Sequence, residues 1–214
     1  MTNKDILTTL KKQLSFFGEI STDEIEYLQS YFNEAYKISI EDIKLYANIP
    51  TEFNYLQTHH SSLFLYKFAR LLYEKNGNYD LCTKLYLLNR MLNSVDLFFK
   101  IKLPKYFLLG HGIGTILSSG STYGNYLVVF QNSTIGVQNG NYPEIGEKVI
   151  IYPNCVIAGK TTIGNNCVIG AGTVLINKNI PDNSIVHNND SGSLHIKNND
   201  KNLIKQYFNI PFSE

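Results

Sequence analysis

Between residues 145 and 175 the chain reads Ile145-GEKVI-Ile151-YPNCV-Ile157-AGKTT-Ile163-GNNCV-Ile169-GAGTV-Leu175, an aliphatic residue every six positions without a break. Six is neither the 3.6-residue period of a helix nor the two-residue period of a lone strand. Allowing four additional residues before Ile145, the register extends back through Ile135, Val129 and Tyr123. Allowing two more, between Thr115 and Tyr123, it continues through Thr115, Leu109, Leu103 and Leu97. Only Thr115 and Tyr123 depart from Leu, Ile or Val. Glycine follows the apolar residue of the register at Gly110, Gly124, Gly136, Gly146, Gly164 and Gly170, and a small or medium residue lies four positions after it at Ser133, Val149, Cys155, Thr161, Cys167 and Thr173.

A fixed hexapeptide period predicts a parallel β-helix. Each hexad supplies one short strand and one turn. The aliphatic side chain points inward and stacks on its equivalent in the next coil, so each coil buries what its neighbours complete. Gly and Asn, as in Gly164-Asn165-Asn166, suit the corners because both tolerate positive φ. Cys155 and Cys167 fall at inward small-residue positions and read as packing.

The first 95 residues have a different period. Ser21-Thr22-Asp23-Glu24 is a capping box ahead of Ile25, Leu28, Tyr31 and Phe32 at helical spacing. Ser39 with Asp42 repeats the start signal more weakly. Ser61-Ser62 precede a helix over 63–73 that is apolar on most of its surface. Asn76-Gly77-Asn78 places a glycine for a left-handed C-terminal cap, and a further helix is predicted from about Tyr79 to Asn93. The expected organisation is a helical domain over 1–95, a β-helix over 96–190 and a partly helical tail over 191–214.

Bulk properties narrow the function. The chain has 214 residues, 43% of them hydrophobic, with 19 basic and 18 acidic residues and a formal net charge of +1. Charge is scattered, so no nucleic-acid partner is expected. No apolar run approaches a membrane span, and the first residues lack the pattern of a signal peptide. Three cysteines without a C-x-x-C pair predict neither disulfides nor a metal site, and a reducing cytoplasm is the expected location.

With the repeat in place, the chain resembles the hexapeptide-repeat acyltransferases, and among them the serine acetyltransferase branch. Leu108-Leu109-Gly110-His111-Gly112-Ile113-Gly114 is similar to that family's segment of a catalytic His followed by glycine. Val95-Asp96, fifteen residues before His111, matches a Val-Asp at the same spacing. The resemblance implies a left-handed coil of three hexads, a homotrimer or dimer of trimers, and acetyl-CoA as co-substrate in grooves between subunits. It implies His111 as general base, Asp96 as its orienting partner and Gly136 as part of the cofactor site.

Some positions depart from that family. Its Asp before the catalytic His, which holds an amino acid, is here Gly110. Its Arg-His-Pro is here Asn141-Tyr142-Pro143, and its Gly-x-Pro-Ala-Lys is here Val186-His187-Asn188-Asn189. The sequence therefore favours O-acetylation of a sugar hydroxyl, with serine acetylation and a non-catalytic scaffold as alternatives. The end, Pro211-Phe212-Ser213-Glu214, lacks the family's terminal Ile that docks into a partner sulfhydrylase.

If three hexads close a coil, those starting at Leu109, Val129, Ile151 and Ile169 stack. Their third residues, His111, Gln131, Pro153 and Ala171, then form one outer column. The last two are short enough to leave room for an extended pantetheine arm. An imidazole with a pKa of about 6.5 can take an alcohol's proton near neutral pH. A backbone amide within Gly112-Ile113-Gly114 is the expected oxyanion donor. Gln131, Asn132 and Tyr142, the last in the 137–143 insertion, are candidate acceptor contacts. His59-His60 are read as solvent or interface residues, and His187 and His195 receive no role.

Overall fold

The structure, a computed structural model, describes residues 1–47, 52–75, 77–189 and 191–209. Four helices come first: α1 Asn3–Leu14, α2 Thr22–Ile43, α3 Thr58–Glu74 and α4 Tyr79–Asn93. The capping box at α2 is formed as its sequence requires: Glu24 N–H donates to Ser21 Oγ (3.2 Å) and Ser21 N–H to Glu24 Oε2 (2.9 Å). α4 has the expected bounds, with Asn78 Oδ1 accepting from the Asp80 and Leu81 amides.

Three helix signals resolve differently. Ser39 does not start a helix; it lies inside α2 and its hydroxyl bonds back to the Ala35 carbonyl (3.0 Å). Ser61 and Ser62 are not caps either, because α3 begins three residues earlier and buries both. Gly77 is not in the left-handed region. Its amide donates to the Leu72 carbonyl (2.7 Å), and a Cβ there would lie 2.5 Å from that oxygen. Close approach, not φ, requires the glycine. Asn76 lies outside the described residues.

From residue 96 the chain winds into a left-handed parallel β-helix of about five coils. The strands are β1 Asp96–Leu97, β2 Phe107–Gly110, β3 Ile116–Leu117, β4 Thr122–Tyr123, β5 Leu127–Phe130, β6 Thr134–Gly136, β7 Glu144–Ile145, β8 Ile150–Ile151, β9 Val156–Ala158, β10 Thr162–Ile163, β11 Val168–Ile169, β12 Val174–Ile176, β13 Asn179–Ile180 and β14 Ser184–Asn188. β15 Leu194–Asn198 follows. They form three parallel sheets: the first is β1-β3-β6-β9-β12, the second β4-β7-β10-β13, and the third β2-β5-β8-β11-β14, to which β15 adds antiparallel. A 3-10 turn, Leu203–Gln206, comes after β15.

The inward ladders are aliphatic, as the period demands. Leu97, Leu117, Ile135, Ile157 and Leu175 stack in the first sheet, and Leu109, Val129, Ile151, Ile169 and Val186 in the third. Tyr123 heads the second-sheet ladder over Ile145 and Ile163, where the first coil has no strand. Its hydroxyl donates to the Ser118 carbonyl (2.7 Å). Between ladders, Thr115, Ser133, Cys155 and Thr173 are all fully buried. Cys155 Sγ lies 3.1 Å from the Gly170 carbonyl, and burial pushes its thiol pKa up to about 11. That is packing, not nucleophilic chemistry.

One placement of the register is corrected. Leu117, not Thr115, pairs with Ile135, so the two additional residues lie between Leu109 and Leu117, at the corner that carries His111. Thr115 is buried too, but it takes the small-residue position beside Ser133. The four additional residues before Ile145 form a hairpin. Gln138 and Asn141 exchange backbone hydrogen bonds (3.0 Å each), with Asn139 (φ 51°) and Gly140 (φ 75°) between them. This is the two-residue turn that Asn-Gly favours.

Candidate active site at the His111 corner

Where the third sheet turns into the first, each regular coil places one residue at positive φ: Asn132 (57°), Asn154 (63°) and Gly172 (71°). The amide of each donates to the residue just before the corresponding corner of the previous coil: Asn132 to the Ile113 carbonyl (2.8 Å), Asn154 to Gln131 (3.1 Å) and Gly172 to Pro153 (2.9 Å). Gln131, Pro153 and Ala171 therefore do form one outer column. Its continuation is Ile113, not His111. The two-residue insertion, His111 (φ 60°) and Gly112 (φ 57°), stands out from the column, and Gly114 (φ 71°) resumes the regular corner.

His111 is exposed on this bulge. A Cβ on Gly112 would lie 2.9 Å from Leu109 Cδ2 and 3.1 Å from Val95 Cγ1, so the bulge is packed tightly underneath. The Ile113 and Gly114 amides are spent on the carbonyls of His111 (2.7 Å) and Ser94 (2.8 Å). Among the described residues the Gly112 amide has no such bond; Gly112 is buried, and its amide is the one of these three left for a developing oxyanion.

Asp96 lies close by in sequence, but its carboxylate is engaged elsewhere. The Tyr86 hydroxyl donates to Asp96 Oδ1 (2.7 Å), and Arg90 Nε is 3.9 Å from Oδ2. Among the described residues no hydrogen bond or ion pair joins Asp96 to His111. Gly110, beside His111, has no room for a side chain: a Cβ would fall 2.6 Å from Phe130 Cδ1. That ring stacks on Tyr152 (5.4 Å, 9°) and meets Tyr207 edge-on.

The other predicted positions separate into two groups. Gln131 and Asn132 lie at the same corner as His111. Gln131 Oε1 is buried without a partner among the described residues, and Asn132 Oδ1 lies where a Cβ on Gly114 would be. Gly136 instead lies on the outer face of the first sheet, paired with Ala158. Tyr142 packs over Gly120 at the corner between the first and second sheets, so one chain does not bring it to His111.

His59 and His60 are not solvent residues. His60 is buried, its Nδ1 accepts the Asn54 amide (3.0 Å), and its ring stacks on Phe53 (5.7 Å, 17°). Desolvation by burial, together with His59 nearby, pulls its pKa down to about 4. His59 is half-buried, and His111 is near enough for its charge to lower the pKa of His59 further below the usual value. The sequence concealed this because adjacent residues on one helix do not share a face. The one available signal was their place in the first turn of an unusually apolar helix. Among the described residues no cluster of metal-ligating side chains occurs, and no helix is long and apolar enough to cross a membrane.

Residues 142–177 match the bacterial transferase hexapeptide family of six repeats. A serine acetyltransferase of Bacillus pumilus is 30% identical over 114 residues, covering 48% of this chain and 52% of that protein. The chain spans about half the length of the curated relatives it matches. Serine acetyltransferase isoform 3 of Entamoeba histolytica, solved with cysteine, superposes with a TM-score of 0.65 at 22% identity, over 92% of this chain and 74% of the other. A serine acetyltransferase solved with CoA gives 0.62 at 18% identity, over 79% and 73%. The chain is thus a hexapeptide-repeat β-helix protein that resembles the serine acetyltransferases.

Proposed function

We propose that this chain moves the acetyl group of acetyl-CoA onto a hydroxyl acceptor, with His111 as general base. The observation that carries the reading is the His111 bulge: an exposed imidazole next to a spare amide, at the head of the open column Gln131, Pro153 and Ala171. The column suits an extended, amide-bearing arm. Pro153 and Ala171 are short, nothing lies within 4 Å of a Cβ built on Gly172, and Gln131, whose Oε1 has no partner among the described residues, can accept an amide N–H once its side chain turns outward. Gly136, on another face, is a weaker candidate for that contact.

His111 takes the acceptor's hydroxyl proton as the oxygen attacks the thioester carbonyl, and it returns that proton to the departing thiolate. The Gly112 amide supports the oxyanion between these steps. No enzyme-bound acyl group is needed, since the thioester is already activated. Asp96, held by Tyr86 and Arg90, ties α4 to the first coil behind this corner.

The names of the relatives favour serine as acceptor over the sugar expected from the sequence. A sugar is kept as second reading for one reason: Gly110 under Phe130 and the uncharged Asn141-Tyr142-Pro143 offer an amino acid's charged ends no partner. Thiol release from acetyl-CoA with L-serine, free sugars and nucleotide sugars ranks the two. Turnover with serine alone supports the first, turnover with sugars alone the second, and none with any acceptor supports the scaffold reading.

A trimer built on the first sheet's outer face belongs to the same proposal. Ile116, Val174 and Ile176 are 45%, 45% and 38% exposed there, and Ile113 (56%) extends the apolar surface to the His111 corner. A cytoplasmic setting, where acetyl-CoA is made and used, fits this reading.

A further inference from the structure

From the helical half, His59 lies within electrostatic reach of His111. The first turn of α3 and the His111 corner are held against the same end of α4. Ser61 Oγ donates to Asn93 Oδ1 (2.9 Å), Asn93 Nδ2 to Asn89 Oδ1 (2.9 Å), and Asn89 Nδ2 to the Ser62 carbonyl (2.9 Å). The next residue, Ser94, accepts the Gly114 amide at 2.8 Å. His59 is fixed in this junction by the ring of His60, 4.0 Å away between centroids, which is itself anchored on Asn54 and Phe53. Its Nε2 is buried and, among the described residues, has no hydrogen-bond partner, so a bond to the exposed His111 ring requires that ring to turn toward it.

We propose that His59 is a positioning residue for His111, its neutral Nε2 accepting the N–H of the His111 ring so that the opposite ring nitrogen faces the acceptor hydroxyl. The proposal rests on His111 being the base. It gives a buried orphan acceptor a partner, which such groups normally have. The shared hydrogen bond becomes charge-assisted when His111 gains the acceptor's proton, so it favours the imidazolium. Burial first, and the charge of His111 second, lower the pKa of His59 and so favour its neutral form. The other ionisable groups around it are His60 on α3, and Asp42 and Tyr46 from α2 and the residues after it, with Asp42 paired to Lys67.

The test uses the full chain with acetyl-CoA and L-serine, and with a sugar if that is the acceptor that turns over. His59→Phe keeps a ring against His60 and removes both nitrogens. Its kcat should fall roughly tenfold or more, part of the 10²–10⁴ a general base contributes. KM for acetyl-CoA should stay within about twofold, and the acid limb of kcat/KM should move to lower pH because His111 loses an acceptor for its charged form. His59→Gln, whose carbonyl can accept, should recover most of the rate. Wild-type kcat and pH profile in His59→Phe, with His111→Ala inactive, overturns the proposal and leaves the base assignment standing. An active His111→Ala overturns the base assignment itself. Should His59→Phe not fold, histidine ¹⁵N spectra of the unaltered protein decide, with His111 assigned by His111→Gln. A single neutral tautomer is expected, and a fast average of both, as a free imidazole gives, overturns the proposal.

Discussion

Gly112 is held to a hydrogen side chain twice over, by a left-handed φ of 57° and by Leu109 Cδ2 lying 2.9 Å from any Cβ. Gly112→Ala should therefore cost roughly 1–3 kcal/mol and lower kcat, because it displaces both the His111 bulge and the spare amide. Urea melts and steady-state rates of the variant check both effects. His60 makes a separate prediction through pH. Its folded pKa, about 4, lies below the ordinary value near 6.5. The unfolded chain therefore binds more protons between those values. The stability His60 contributes is complete above about pH 6.5 and is lost as pH falls toward 4. Urea midpoints from pH 7 down to 4.5 should fall less steeply in His60→Asn, which keeps an acceptor for the Asn54 amide. A slope equal to that of the unaltered protein contradicts the assignment. Of this residue-level picture, the sequence points to His111 as a candidate through its flanking glycines. His59 was hidden, since only the meeting of α3, α4 and the first coil gives it a neighbour.

At the level of elements, the β-helix was legible because a six-residue spacing repeated through several coils has few other physical explanations. The misplaced insertion has a physical cause too. Thr115 and Leu117 are both buried, and a sequence cannot tell an inward ladder position from the small-residue position two places before it. The start of α3 was hidden for a related reason. Serines are good caps, and only the tertiary contacts of Ser61 with Asn93 and of Ser62 with Asn89 show them serving inside a helix. The ladder assignment carries its own test. Ile157 is fully buried between Ile135 and Leu175, while Val174 in the adjacent strand is 45% exposed. Ile157→Asp should cost several kcal/mol and abolish cooperative melting, since it buries an unpaired charge. Val174→Asp should leave the fold of the single chain intact.

At the scale of the whole molecule, the helical half and the β-helix meet where the chemistry is proposed, and the C-terminal segment closes the junction from the other side. The Ala47 amide donates to the Tyr207 carbonyl (2.9 Å), the Asn209 amide donates to Leu45 (2.7 Å), and Phe208 packs against Tyr46, Tyr106 and Tyr126. Little of this was legible beforehand, because contacts between residues 163 positions apart, such as Tyr46 and Asn209, leave no periodic trace. Residues 210–214, with the terminal Pro211-Phe212-Ser213-Glu214, lie outside the described residues. The first sheet's exposed aliphatic face predicts that Val174→Asp, though folded, sediments as a smaller species than the unaltered protein. Equal sedimentation would remove that face from the assembly.

The most direct measurement is CoA release from acetyl-CoA by the full chain and by His111→Ala, near neutral pH, with circular dichroism matched between the two. Acceptor-dependent release should fall by about 10²–10⁴ in His111→Ala with the spectrum unchanged. Equal rates in the two proteins would contradict His111 as the base.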